Sequence, residues 1–138
     1  MTDVKALAQS LDRLAASLRR EAPAAVSSST ITALDRLRVE GPLRISELAA
    51  REAITQPGVT LLVNRLAEAG YAERVPDPTD RRATLVRITP AGEAALAARH
   101  AQRANVLRDR MAHLSEHDQK LLIDALPAIE RLIDLDRK

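Results

Sequence analysis

Along most of the chain, apolar residues recur at helical spacing, and they alternate over one short stretch near the middle. In TQPGVTLLVNRLAEAG, Val59, Leu62, Val63 and Leu66 make one buried stripe, while Gln56, Thr60, Asn64 and Arg65 occupy the opposite face. Thr55 is positioned as N-cap, Pro57 falls in the first turn where no ladder bond is broken, and Gly70 ends the helix in the left-handed conformation. The preceding ISELAAREAI has its own stripe at Ile45, Leu48, Ala49 and Ile54, with Ser46 as cap. Two short helices joined by a tight turn predict a helix-turn-helix over about 44–69. A further helix, Thr30 to Glu40, carries Ile31, Leu34, Leu37 and Val39 and packs beneath the pair, bringing Leu34 and Leu37 to Leu48 and Leu62. The small, polar EAPAAVSSST ahead of it reads as a loop.

After Gly70 the period changes. YAERV and ATLVRIT alternate or are β-branched, and Pro76, Asp77, Pro78, Thr79 and Asp80 supply the turn between them, so residues 71–89 predict a hairpin with a charged tip. Thr89 then caps a long helix with Pro90 at its first position, running to about residue 114 and spanning more than about 35 Å at 1.5 Å per residue. Ser115, with Asp118 three residues on, opens the last helix, which Pro127 interrupts and bends. The expected fold is mainly α with a small β-hairpin wing: a winged helix-turn-helix lobe over 30–89, terminal helices 1–24 and 112–138, and a connecting helix 90–114 between them.

The ends of the chain are apolar where no core is available to cover them. Leu7, Leu11, Leu14 and Leu18 form a narrow stripe near the N-terminus. Near the other end Leu122, Leu126, Ile129 and Ile133 form one row, and Leu121, Ala125, Leu132 and Leu135 another. These ends read as a homodimer interface, the alternative being that they pack only on each other within a monomer.

The polar faces set the chemistry. Asn and Gln match adenine, Arg matches guanine, and Thr reaches base or phosphate, so the face from Gln56 to Arg65 suits a major groove. At the hairpin tip, Asp80 is placed to hold the guanidinium of Arg81 or Arg82 while the other stays free, and an arginine so held suits a narrow minor groove. Arg74 and Arg87, on the two strands, are assigned to phosphates. The formal charge is +2, from 21 basic and 19 acidic residues, so any DNA-facing field must come from placement and not from total charge.

In RLAEAGYAERVPDPTDRRATLVRITPAGEAAL the residues Leu66, Gly70, Arg74, Asp77, Asp80, Arg82, Thr89 and Gly92 fall in a pattern that resembles the MarR family of winged-helix transcriptional regulators, over essentially the whole chain. The resemblance implies that Arg82 enters the minor groove with Asp80 as its brace, and that the chain works as a homodimer, most often as a repressor on a pseudo-palindromic operator. It also implies release by a small aromatic or drug-like effector. Family members often carry a basic or polar residue where Leu61 stands here, which puts the target sequence apart. The expected DNA-binding residues are Ser46, Thr55, Gln56, Pro57, Gly58, Thr60, Leu61, Asn64, Arg65, Arg74, Asp80, Arg81 and Arg82. The expected dimerisation residues are Leu7, Leu11, Leu14, Leu18, Leu122, Leu126, Ile129 and Ile133.

Other functions find little support in the 138 residues. The chain has no cysteine, which excludes a disulfide framework, a thiolate metal site and the cysteine-based peroxide sensing found in one branch of the family. With four glycines it has no phosphate-cradling loop, and no HExxH pair is present, so no catalytic residue, metal ligand or cofactor is expected. His113 and His117 are four apart but flank the cap at Ser115, and His100 reads as a helix-surface residue. Tyr71, the sole aromatic residue, is expected to pack in the winged lobe. No signal peptide or membrane span is visible, so the protein is expected in the cytoplasm. The competing function is a winged scaffold used for protein contacts, which would show no salt-sensitive binding to a duplex.

Overall fold

The computed structural model describes residues 2–21 and 28–136. Within them the chain runs α1 (Thr2–Glu21), α2 (Ser28–Glu40), β1 (Leu43–Arg44), α3 (Ile45–Glu52), α4 (Gln56–Glu68), β2 (Ala72–Pro76), β3 (Thr84–Ile88), α5 (Pro90–Met111), α6 (Glu116–Asp124) and α7 (Leu126–Leu135). Residues 22–27 of the expected loop and the outer ends of the terminal segments, at Met1, 22–24 and 137–138, lie outside the described residues.

The core sits in the winged lobe and the first part of α5. Leu34 and Leu37 of α2, Leu48 of α3, and Val59, Leu62, Val63 and Leu66 of α4 are buried together with Leu43, Ala72, Val86 and Leu96. Tyr71 packs against this cluster from its edge, as expected. Val39 departs from its predicted stripe: it is 40% exposed, because α2 is covered on one side only. The helix also begins two residues earlier than its pattern implied.

Helix ends explain how the elements are aimed. Thr55 caps α4, its hydroxyl accepting from the Gly58 N–H at 3.2 Å. At the other end Tyr71 N–H donates to the Leu66 carbonyl and Gly70 N–H to that of Ala67, with Gly70 at φ +80°, the paired bonds that reverse a chain at a helix C-terminus. The same device closes α3, where Ile54 N–H reaches Ala49 and Ala53 N–H reaches Ala50. Here the left-handed position is occupied by Ala53 at φ 53°, an alanine in a conformation that favours glycine. Ile54 therefore belongs to the turn and not to the α3 stripe, although it still packs on the core.

The wing is three-stranded, in the order β1-β3-β2 and antiparallel throughout. Its hairpin follows the predicted boundaries closely. The edge strand β1 pairs Leu43 with Val86 and Arg44 with Leu85, and two residues are too few to leave an alternating pattern. Arg44 is then the residue that enters α3, and Glu47 accepts from its N–H at 3.0 Å. Ser46 lies inside the first turn instead of capping it, because the extended backbone of the short strand ends at Arg44 and the helix starts two residues sooner.

Thr89 and Ser115 cap as predicted, accepting from Gly92 and Asp118 N–H groups. Between them α5 is 22 residues long, about 33 Å. It stops at Met111, three residues short of expectation, where His113 and Leu114 donate to carbonyls only three residues back and tighten the last turn. Pro127 divides the final segment: with no N–H to offer Ile123, it leaves α6 to end at Asp124 and α7 to begin at Leu126.

Candidate nucleic-acid interface

The helix pair is tied to α2 from behind. Arg36 of α2 donates through Nε to Glu52 of α3 at 2.9 Å and through Nη2 to the Arg51 carbonyl, while Arg51 reaches Glu40 of α2 at 2.9 Å. The Arg36 guanidinium is pushed above its ordinary pKa, chiefly by the hydrogen bond to Glu52. These contacts tie α3 to α2, and α4 packs against α3.

On α4 the buried and exposed faces separate as the sequence requires. Val59, Leu62, Val63 and Leu66 point inward, and Thr55, Gln56, Pro57, Thr60, Leu61, Asn64 and Arg65 are exposed. Leu61 stands 60% exposed, an apolar side chain in the middle of a polar face. Thr60 uses its hydroxyl proton on the Gln56 carbonyl at 3.0 Å, which leaves its methyl group and oxygen lone pairs for a ligand. Gly58 is partly buried: a Cβ there would meet Ile54 Cγ2 at 2.8 Å and the capping oxygen of Thr55 at 3.1 Å. Ser46 is exposed on α3.

Asn64 and Arg74 are not independent. Arg74 Nη2 on β2 donates to Asn64 Oδ1 at 2.6 Å, so the outer face of α4 and the wing strand form one continuous surface. Arg87, the other strand arginine, is paired across the sheet with Glu73 at 2.6 Å, and the sequence assignment of both arginines to phosphates missed these partners.

At the wing tip the expected brace is present and its partner is resolved. Asp80 Oδ1 accepts from the backbone N–H of Arg82 at 3.0 Å and from its Nε at 3.5 Å. Arg82 is nonetheless 94% exposed, and Arg81 beside it is exposed as well. Two guanidinium groups therefore project from a loop whose backbone is pinned.

What pins the loop is Asp77, which the sequence marked as a turn former and as one position of the family-like pattern, without a partner. Its Oδ1 accepts from Thr79 N–H at 2.9 Å and from the Thr79 hydroxyl at 2.8 Å, and its Oδ2 accepts from Arg44 Nη2 at 2.7 Å and Nε at 3.1 Å. The two hydrogen bonds from Thr79, then that from Arg44, hold the Asp77 carboxyl down at about 2. Because Arg44 also begins α3, this one carboxylate ties the wing to the helix-turn-helix. The turn and the pattern position were legible in sequence, but the Arg44 partner, 33 residues away, was not.

Away from this surface, the described residues hold no cluster of three His, Asp or Glu side chains suited to a metal. No helix among the described residues is long and apolar enough to cross a membrane.

A family model described as MarR family matches residues 26–84, the segment that contains both helices and the wing tip. An uncharacterized HTH-type transcriptional regulator of Mycobacterium bovis is 32% identical over 123 residues, covering 88% of this chain and 86% of that one. The chain belongs to the MarR family. It is a winged helix-turn-helix regulator of transcription and not an enzyme. The crystal structure of a transcriptional regulator from Thermotoga maritima superposes with a TM-score of 0.75 at 25% identity, over 96% of each chain. A probable transcriptional regulator from Pseudomonas aeruginosa is 31% identical with a TM-score of 0.63, over 89% of this chain and 92% of that one. In the single chain the winged lobe is packed, whereas the apolar residues of α1, α6 and α7 are largely uncovered.

Proposed function

We propose that two copies of this MarR-family chain join through α1, α6 and α7. The dimer then acts in the cytoplasm as a repressor on a pseudo-palindromic operator, and a small molecule lodged between the lobes releases it. The observation that carries the DNA-binding part is the amphipathic division of α4, whose polar outer face runs through the Asn64–Arg74 contact into a wing bearing two exposed arginines. In this reading the face from Gln56 to Arg65 enters the major groove, Arg82 enters the minor groove with Asp80 as its brace, and Arg81 lies on phosphate.

The dimer follows from what α1, α6 and α7 leave in water. Leu7, Leu11 and Leu14 are 56%, 49% and 41% exposed, and Leu121, Leu126 and Leu132 are 54%, 52% and 63% exposed. Neither α6 nor α7 contains a buried residue, so these helices do not satisfy each other within one chain. Leu18 is half-buried and sits at the edge of the stripe. Covering each large side chain is worth about 1–2 kcal/mol, enough together to hold two protomers. A two-fold dimer sets two recognition helices about one helical turn, roughly 34 Å, apart. Because α5 reaches from the wing to the uncovered helices, a ligand wedged at one end of it changes the separation at the other.

The test is a titration against the DNA upstream of the protein's own coding region and against a scrambled duplex, with salt varied. Selective binding of one dimer per site, weakening steeply with salt, is expected. Failure at low salt on that DNA and on a genomic fragment pool would transfer the exposed face to a protein partner.

A further inference from the structure

We infer that Arg74 sets the base preference of Asn64 by occupying its amide oxygen, so that the recognition helix offers a donor at this position and selects guanine over adenine. The inference rests on the reading of α4 as the base-contacting helix. It depends first on which end of the amide faces the wing, and the partner decides that. A guanidinium has five N–H donors and no acceptor, so the atom 2.6 Å from Arg74 Nη2 must be the carbonyl oxygen of Asn64. The Nδ2 group is then directed away from Arg74, as two N–H donors.

An unencumbered asparagine pairs with adenine through both ends of its amide, accepting from N6 and donating to N7. With Oδ1 already accepting from a charged donor, only its second lone pair remains for N6, and the adenine amino group would have to donate beside the Arg74 guanidinium, so the first of those bonds is weakened. Guanine presents two acceptors, O6 and N7, and accommodates a donor-only side chain. The pair is available for this role because neither residue is claimed elsewhere. Among the described residues Arg74 has no carboxylate partner, since its neighbour Glu73 is engaged by Arg87 at 2.6 Å. Both residues are exposed, so the substitutions below leave the core untouched.

Two measurements test this. In the free protein, the side-chain amide resonances of Asn64 are expected to move in Arg74→Ala, and no movement would overturn the pair. For DNA, duplexes selected from a randomised pool by the wild-type protein, Arg74→Ala, Asn64→Ala and Asn64→Asp are compared by base preference. The wild type is expected to favour guanine over adenine at one position of each half-site by about five- to a hundredfold. Asn64→Ala abolishes that preference. Asn64→Asp keeps the contact to Arg74 but has no donor, so it abolishes the preference too, and Arg74→Ala moves it to adenine. An Arg74→Ala profile unchanged in preference but lower in affinity on every duplex would overturn the inference and make Arg74 a phosphate contact only. Tight binding without selectivity would likewise overturn it while leaving the DNA-binding reading intact, whereas no binding to any duplex would remove both.

Discussion

Gly92→Ala discriminates between two opposing physical effects, because in an ordinary helix the change is favourable. Replacing glycine by alanine inside a helix stabilises by about 1 kcal/mol. In α5, however, Gly92 is buried where the helix leaves the wing. A methyl carbon built there overlaps the Tyr71 carbonyl oxygen and stands 3.0 Å from the Tyr71 carbonyl carbon and 2.9 Å from Ile88 Cγ1. Relief requires the first turn of α5 to retreat from the base of the hairpin. That turn is bound there by Thr89 N–H to Tyr71 O at 3.0 Å, by the Thr89 hydroxyl to Gly70 O at 2.6 Å, and by the cap from Gly92 N–H to Thr89 Oγ1 at 3.1 Å. Overpacking costs about 1–3 kcal/mol. Loss of two of the three hydrogen bonds adds about 1 kcal/mol each. Against the helical gain, the net expectation is a destabilisation of roughly 2–4 kcal/mol, or a fall in Tm on the order of 10 °C for a chain of this size. The assay is thermal unfolding followed by circular dichroism at one fixed protein concentration, since dimerisation would make Tm concentration-dependent. An unchanged or raised Tm would show that the intrinsic preference for alanine prevails and that α5 does not pack against Tyr71 as described.

Four further outcomes are expected. Arg82→Ala should weaken operator binding more than Arg108→Ala and reduce the slope of log affinity against log salt by about 0.9, without changing Tm; equal effects of the two would refute the wing assignment. Asp77 has a folded value of about 2 against an ordinary 3.8, so its ionised form stabilises above about pH 4 and that contribution is lost as pH falls from about 4 to 2. Asp77→Asn should flatten that limb of a stability-against-pH curve and loosen the wing, and a curve identical to the wild type would refute the role. Ala53→Gly should raise stability by about 1 kcal/mol in denaturant titrations, because glycine occupies the left-handed region at no steric expense. Ile129→Glu, at a site 42% exposed in the single chain, should convert a dimer to a monomer in sedimentation and abolish tight operator binding while keeping the winged lobe folded. A wild-type protein that sediments as a monomer would refute the interface.

Periodicity together with capping and turn residues located α4, its Thr55 cap and its Gly70 stop, the Thr89 and Ser115 caps, and the hairpin strands, because each depends on residues within a few positions of one another. The apolar stripes of α1 and α7 were legible for the same reason; the structure leaves Leu7, Leu11, Leu14, Leu126, Ile129 and Ile133 exposed and Leu18 half-buried. Local signals also misled where the chain broke a habit. Ser46 looked like a cap, but Arg44 enters the helix from a strand too short to show a period, and an alanine instead of a glycine reverses the chain after α3.

What the amino-acid order determined by itself was the set of elements and the residue types on their outer faces, since helical and extended repeats are one-dimensional facts. Tertiary structure decided which polar groups meet. Asp77 finds Arg44 across 33 positions, Arg74 finds Asn64 across ten, and Gly92 is required by a carbonyl 21 residues before it. These pairings depend on how α3, α4, the wing and α5 are stacked. Stacking follows from burial of a shared core, which is non-directional along the chain, and so leaves no trace in the spacing of the polar residues it brings together.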